Sequence, residues 1–282
     1  MKIELGMDVR IHPSARIEAT SGYIGDRTVI EKDALIQGQE IYIGVESFID
    51  EGAVIGGGSC FDSSAFLVTG DWFHLGKQGQ INTARGVTIG HEVGCGIRTS
   101  IFTHGAYLDS YHLGAVRQWG PVTIGDNVWI PNAWINPNVS IGSNVTIAAS
   151  SLVNQDIPDG ALAGGIPAKI LKESYLPQHL DSVSKRNLIH SIIQDARGRR
   201  ELNGEEFFFA WNESTEILEI GFQSNVTLFD FIRRRIDGSV NDVSIAVKDQ
   251  LRRNGIRFRY CVVGQEWICW EKSGYNIPQV EF

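Results

Sequence analysis

The sequence predicts a mainly β chain: a parallel β-helix of about seven coils with two protruding loops over residues 1–172, then a smaller α+β domain over 173–282. Three observations predict it. An aliphatic residue, usually isoleucine, returns every six residues along the first half of the chain. The step lengthens to seven after every third return, and the regularity ends near residue 160. A period of six fits neither an amphipathic helix nor a plain strand, but it suits a short strand plus a turn, and three such hexads close one triangular coil.

The count runs through Leu5-Gly6, Ile11, Ile17; Ile24-Gly25, Ile30, Ile36; Ile43-Gly44, Ile49, Ile55-Gly56; and Val68 (one residue out of phase), Leu75-Gly76, Ile81. It continues through Ile89-Gly90, Cys95, Ile101; Ile124-Gly125, Ile130, Ile135; and Ile141-Gly142, Ile147, Val153. A small or β-branched partner stands two residues before many of these positions, for example Thr28, Ala34, Ala53, Val87, Val93, Thr99, Val128 and Ser151. Residues two apart on a strand share a face, so both members of each pair are expected to point inward. Glycine after the inward aliphatic reads as a turn that needs a permissive backbone, with Asp26, Asp126, Asn127, Ser143 and Asn144 filling corners.

Two excursions interrupt the count, between Ile55 and Val68 and between Ile101 and Ile124, both at the third-to-first corner. One coil separates them. At an inter-strand spacing of about 4.8 Å the two loops rise side by side about 10 Å apart and form the walls of a cleft.

Beyond Pro158, Gly160 and Pro167 the pattern changes. A helix is expected over 180–197, with Val183, Leu188, Ile189, Ile192, Ile193 and Ala196 on its apolar face. Strands follow over 206–211, 216–222 and 227–232, with a turn at Asn212-Glu213-Ser214. A second helix over 242–253 ends at Asn254-Gly255, before strands over 257–263 and 266–270. The arginines at 233–235, 252, 253, 257 and 259 read either as an anionic-acceptor surface or as a solvated face balanced by Asp230, Asp237, Asp242 and Asp249.

Composition sets the class. The chain has 282 residues, 43% of them hydrophobic, enough for a solenoid core and a second domain. No eighteen-residue apolar window occurs, and Met1-Lys2-Ile3-Glu4 leads into the first coil without a signal sequence. No transmembrane segment and a cytoplasmic location are therefore expected. Cys60, Cys95, Cys261 and Cys269 show no CxxC spacing and read as reduced thiols, Cys95 as a small core residue. A net charge of −8 argues against nucleic acid as a partner.

The chemistry-bearing segment is 99–109, at the base of the longer loop. It reads Thr-Ser-Ile-Phe-Thr-His-Gly-Ala-Tyr-Leu-Asp, with His104 three residues past an inward isoleucine and at the mouth of the cleft. Imidazole is the side chain whose ordinary titration range suits proton transfer near neutrality.

Together these features resemble the hexapeptide-repeat acyltransferases, most nearly the maltose, galactoside, xenobiotic and polysaccharide acetyltransferase group. The residues that carry the resemblance are the hexads, Thr103-His104, the run 120–130 (Gly-Pro-Val-Thr-Ile-Gly-Asp-Asn-Val-Trp-Ile), 156–160 (Asp-Ile-Pro-Asp-Gly) and 163–169 (Ala-Gly-Gly-Ile-Pro-Ala-Lys). It covers residues 1–172 and is strongest over 87–172. The resemblance implies a left-handed helix, a homotrimer, and acetyl-CoA as acyl donor in the groove between two subunits, with no metal.

By that resemblance His104 is the catalytic base and Lys169 meets coenzyme A phosphates. The backbone around Ala148, Ala149 and Ser150 borders the pantetheine arm, and an N–H there donates to the oxyanion. The coenzyme groove passes Trp134, where Ile130-Pro131-Asn132-Ala133-Trp134-Ile135 is one residue shorter than the family pattern. His91, Tyr107, Asp109 and Trp119 are candidate substrate-binding residues; His91 reads more readily as a solvated corner, and Tyr107 and Trp119 read equally as packing the loops against the prism. His74, His112, Tyr111, Trp72 and Phe73 either line the cleft or pack the loops.

The implied activity is O-acetylation of a saccharide or nucleotide-sugar hydroxyl, as in polysaccharide biosynthesis. N-acetylation of an amino sugar is the nearest alternative, since the same base serves either nucleophile. Two readings of other classes are a zinc hydratase resembling the γ-class carbonic anhydrases, which the spacing of His91, His104 and His112 does not match, and a solenoid without catalysis.

Overall fold

The computed structural model describes residues 2–105, 107–202 and 204–268. It divides into two compact units, Met1–Gln178 and His179–Phe282. Residues 173–178 belong with the solenoid rather than with the second domain, because the Tyr175 and Leu176 amides donate to the Gly160 carbonyl at 2.7 and 3.1 Å.

The first unit is a parallel β-helix. Ile24, Ile30, Ile36, Ile43, Ile49, Ile55, Leu75, Ile81, Ile89, Cys95 and Ile101 are at most 1% exposed, and the small partners Thr28, Ala34, Ala53, Val87, Val93 and Thr99 are buried beside them. Parallel registers such as Ile30↔Ile49, Ile81↔Ile101 and Ile101↔Ile135 stack like on like. The five-residue step from Ile130 to Ile135 keeps that register. In the first coil Leu5 and Ile11 stay 52% and 36% exposed, because they have a neighbouring coil on one side only.

The seven-residue steps of the first coils have a simple origin. Arg16–Ile24 and Leu35–Ile43 run through the third-to-first corner as single nine-residue strands, paired from Arg16↔Leu35 to Ile24↔Ile43. In later coils this corner is where the excursions leave.

Glycine at the start of each first corner answers a need other than the one expected. A Cβ on Gly44 would lie 2.3 Å from the Gly70 carbonyl carbon, so these glycines permit close approach of successive coils. Positive φ falls two residues later, on Arg27, Glu46, Trp72, Glu92, Asn127 and Asn144. Aspartates bind the same corner coil to coil: Asp26 accepts from the Met7 amide, Asp71 from Val45, Asp126 from His91 and Asp159 from Ser143.

Two corrections concern the count. The inward residue of the fourth coil is Thr69, in register with Ile89, while Val68 is half-buried and points outward. Threonine has the shape of valine, and here its hydroxyl is satisfied by the Gly44 amide at 3.2 Å. The solenoid also runs beyond Val153 into an incomplete eighth coil. Ile157 bridges Ile141, Ala163 stacks on Ile147, and Ala168–Lys172 folds back antiparallel along Leu162–Gly165. That return gives the last parallel edge a partner.

Cys95 lies in the solenoid core, where burial pushes its thiol up to about 12. Cys95 is therefore expected to resist a thiol-specific reagent at neutral pH in the native protein and to react once guanidinium unfolds it. Fast labelling of Cys95 in the native state, read by peptide mass, would contradict this packing. Cys60 and Cys261 are buried too, and burial likewise raises the Cys60 thiol. Cys269 lies outside the described residues.

The second unit carries helix α1, Ser182–Arg197, with Asp181 accepting from the Ser184 amide as its N-cap, and helix α2, Asp242–Arg253, with a capping box between Asn241 and Ser244. An antiparallel sheet runs in the order Phe208–Asn212, Ile217–Phe222, Asn225–Asp230, Arg235–Ser239, Glu266–Ile268, Cys261–Val263. Ile189, Ile192, Ile193 and Ala196 of α1 enter its core, whereas Val183 and Leu188 remain exposed.

The strand Arg235–Ser239 was hidden inside the arginine run. Arg233 pairs with Asp230 at 3.0 Å and Arg234 donates to the Arg257 carbonyl, so these two brace the sheet. Of the last strand expected, residues 269–270 lie outside the described residues. No helix among the described residues is long and apolar enough to cross a membrane.

Candidate active site

Three consecutive third-to-first corners stack on one edge of the prism: the loop 56–65, the short corner 82–86, and the long loop 102–121. Inward Ile55, Ile81 and Ile101 hold them in register, so whatever follows each isoleucine meets its neighbours above and below. Gly56 stands beside Asn82 in that register.

Asn82 is 6% exposed, and every polar atom of its side chain is engaged. Nδ2 donates to the Gly56 and Gly58 carbonyls at 3.2 and 3.1 Å. Oδ1 accepts from the Thr103 hydroxyl at 2.7 Å, from the Ala84 amide at 3.3 Å, and meets His104 Nδ1 at 2.8 Å. An amide nitrogen donates and a carbonyl accepts, so the two glycine carbonyls set which way the Asn82 amide faces. Oδ1 therefore points at the imidazole, and Nδ1 must carry the proton. In the neutral ring the lone pair is then on Nε2. That nitrogen faces the first loop, where a Cβ on Gly58 would stand 3.7 Å away; glycine leaves this space to an incoming atom.

The long loop is closed at its base by an antiparallel pairing of His104–Gly105 with Gln118–Trp119. His104 and Trp119 face each other across this ladder with ring centroids 5.3 Å apart and planes 28° apart. The Arg85 guanidinium lies 4.2 Å from the Trp119 ring centroid. Its Nη1 donates to Ser64 Oγ, the Ala84 carbonyl and Asp62 Oδ2 at 2.9, 2.9 and 3.4 Å. The corner 82–86 thus ties both cleft walls together.

The structure brings His104 and Trp119 together and leaves the other expected residues elsewhere. Tyr107, two residues beyond the pairing at the base of the loop, is 99% exposed. Asp109 turns back on its own loop, where the His112 amide and ring and the Tyr111 amide hold its carboxyl below its ordinary value. His91 occupies the first-to-second corner, its Nδ1 accepting from the Asp71 amide at 3.0 Å. His74 packs edge-on against Phe48 on the second face. Trp72 and Phe73 are buried in the solenoid, with the Trp72 indole N–H donating to Glu46.

Trp134 stacks on Phe102 at 4.5 Å on the third face. Lys169 is exposed on the returning strand. The amides of Ala148 and Ser150 already donate to the Ala163 and Asn132 carbonyls, because both belong to the inter-coil ladder. Among the described residues, the Ala149 N–H is the one of the three without such a bond. No three His, Cys, Asp or Glu side chains among them converge as metal ligands.

Asn82, Arg85 and Gly58 were not singled out by the sequence. One signal was available for Asn82: a polar residue directly after an inward isoleucine, at the corner where both neighbouring coils send out loops.

The family description Bacterial transferase hexapeptide (six repeats) matches residues 121–155, in the sixth and seventh coils. Galactoside O-acetyltransferase of Escherichia coli (strain K12) is 32% identical over 138 residues, spanning 45% of this chain and 68% of that protein. The chain belongs to the hexapeptide-repeat acetyltransferases. A chloramphenicol acetyltransferase of Morganella morganii is 36% identical over 69 residues, 24% of this chain and 33% of that one. A hexapeptide-repeat acetyltransferase of Vibrio cholerae, solved with acetyl coenzyme A, covers 48% of this chain and 71% of its own at 28% identity, with a TM-score of 0.38. The second unit, from His179 onward, lies outside the family match at 121–155, so membership in this acetyltransferase family rests on the solenoid.

Proposed function

We propose that the chain transfers an acetyl group from acetyl-CoA directly to a saccharide hydroxyl, with His104 as general base. The observation that carries this reading is the Asn82–His104 contact at 2.8 Å, which in the neutral ring puts the proton on Nδ1 and the lone pair on Nε2, toward the first loop. Nε2 takes the proton of the acceptor hydroxyl as that oxygen attacks the thioester carbonyl. The C–O bond forms, the tetrahedral intermediate collapses with loss of the C–S bond, and the imidazolium returns the proton to the departing thiolate. Asn82 Oδ1 keeps accepting from Nδ1 throughout, so it holds the ring while its charge changes.

Lys169 is the proposed contact for coenzyme A phosphates, and the Ala149 N–H is open to the pantetheine arm or to the oxyanion. His91, Tyr107 and Asp109 remain proposed contacts for a bound acceptor, and Trp134 for the coenzyme. Similarity to a galactoside O-acetyltransferase supports a sugar hydroxyl as acceptor. A cytoplasmic location fits this donor. Thiol release from acetyl-CoA, measured across a panel of sugars and amino sugars, tests the reading. Release with amino sugars alone would replace O-transfer by N-transfer.

A homotrimer is proposed with it. Tyr107, Leu108, Tyr111, Leu113 and Val116 stand 65% or more exposed on the long loop of a single chain. Large apolar side chains exposed in such number on one loop are the kind of surface a partner covers. Sedimentation is expected to give three times the chain mass of 31.2 kDa, with activity falling on dissociation. A fully active monomer would remove the shared site.

A further inference from the structure

We propose that Arg85 reads an anionic group, a carboxylate or a phosphate, on the acceptor that His104 activates; this inference rests on the acetyl-transfer reading above. All three hydrogen bonds of the Arg85 guanidinium fall on Nη1. Among the described residues none falls on Nε or Nη2. Those two N–H groups form the edge of a guanidinium that takes both oxygens of a carboxylate or phosphate in one plane.

The edge is preorganised. Nη1 is fastened to Ser64 and the Ala84 carbonyl, and the planar group lies over the Trp119 indole, so little rotamer freedom remains to be lost when an anion binds. It is also placed beside the chemistry, since Trp119 lies 5.3 Å from His104 and 4.2 Å from Arg85. A sugar whose hydroxyl approaches Nε2 carries its substituents past the same indole.

The charge is incompletely met inside the protein. Asp62 reaches only Nη1, at 3.4 Å, and its side chain is 49% exposed against 32% for Arg85. A residue serving solely as a strap between the loops would need the Nη1 contacts and no more. The Nε–Nη2 edge has no protein acceptor among the described residues and so stays available to an incoming anion.

The test uses the full chain with acetyl-CoA and matched acceptors: galactose against galacturonate, and glucose against glucose 1-phosphate, with thiol release read as kcat/KM. The wild-type protein is expected to prefer one anionic member over its neutral partner by about tenfold or more, the usual scale of a charge-assisted bidentate contact. The better of the two pairs tells carboxylate from phosphate.

Arg85→Gln, which can still donate to Ser64 but lacks the fork, should abolish that preference mainly through KM. Asp62→Asn should change it in the opposite direction, by about two- to fivefold, because the guanidinium loses its internal counter-ion. Should Arg85→Gln fail to fold, the wild-type preference and the Asp62→Asn shift decide between them.

Equal use of neutral and anionic acceptors, or a loss in Arg85→Gln that is the same for both, overturns this inference and leaves acetyl transfer standing. An unchanged preference in Asp62→Asn also counts against it. Absence of thiol release with every acceptor overturns the transfer reading and this inference together.

Discussion

Replacing His104 with alanine is expected to lower turnover by roughly 10²- to 10⁴-fold, the size of a general-base contribution. The loss should lie in kcat, with coenzyme A affinity close to wild type, because the ring contacts Asn82 and Trp119 and none of the residues proposed for the donor. Folding should survive. Asn82 Oδ1 keeps the Thr103 hydroxyl and the Ala84 amide after the imidazole is gone, so a buried acceptor is not orphaned. The measurements are single-turnover acetyl transfer, coenzyme binding by calorimetry, and a melting curve. A folded variant that retains a third of wild-type activity would take His104 out of the mechanism.

The β-helix was legible because its signal is redundant. Each coil repeats the same three inward positions, and parallel stacking puts like residues over like, so one misplaced residue does not hide the period. Val68 shows the limit. A β-branched residue one position out of phase looks like the inward one, and the ladder with Ile89 shows that Thr69 fills the place, its hydroxyl accepting from the Gly44 amide. The incomplete eighth coil was missed for a related reason: its inward residue on the second face is Ala163, too small to register in an aliphatic count.

The candidate site was legible in part. His104 stands out by residue type and by its place at the base of a long insertion, and Trp119 by falling at the other end of that insertion. What holds His104 could not be read from spacing, because Asn82 lies 22 residues earlier and reaches it only through the stacking of adjacent coils. Tyr107 and Asp109 are near His104 in sequence and were expected near it in space. The antiparallel pairing at 104–105 carries the chain outward instead, so sequence proximity gives no contact there. In the second unit the basic run at 233–235 concealed a strand, since arginines that pair with Asp230 or donate to a backbone carbonyl look the same in sequence as arginines awaiting an anion.

Asn82 supplies the second large expected effect. Asn82→Leu removes the acceptor that fixes the His104 tautomer and at the same time leaves the Gly56 and Gly58 carbonyls without their donor. Gly58 is exposed and its carbonyl can turn to water, but Gly56 is buried, and a buried polar group left unsatisfied costs about 1–3 kcal/mol, so a fall in melting temperature is expected. Turnover should fall by roughly 10- to 10²-fold, since a ring free to take the other tautomer presents a protonated Nε2 to the acceptor for part of the time.

These two consequences separate in a second variant. Asn82→Asp keeps an oxygen for Nδ1 but donates nothing to the glycine carbonyls, so it should melt low, as Asn82→Leu does, while its kcat stays nearer to wild type. A purely structural role would instead make kcat follow stability in both variants. If Asn82→Asp and Asn82→Leu lose kcat equally at a temperature where both are folded, Asn82 acts only as a loop fastener, and the unprotonated Nε2 must be secured by something other than this amide.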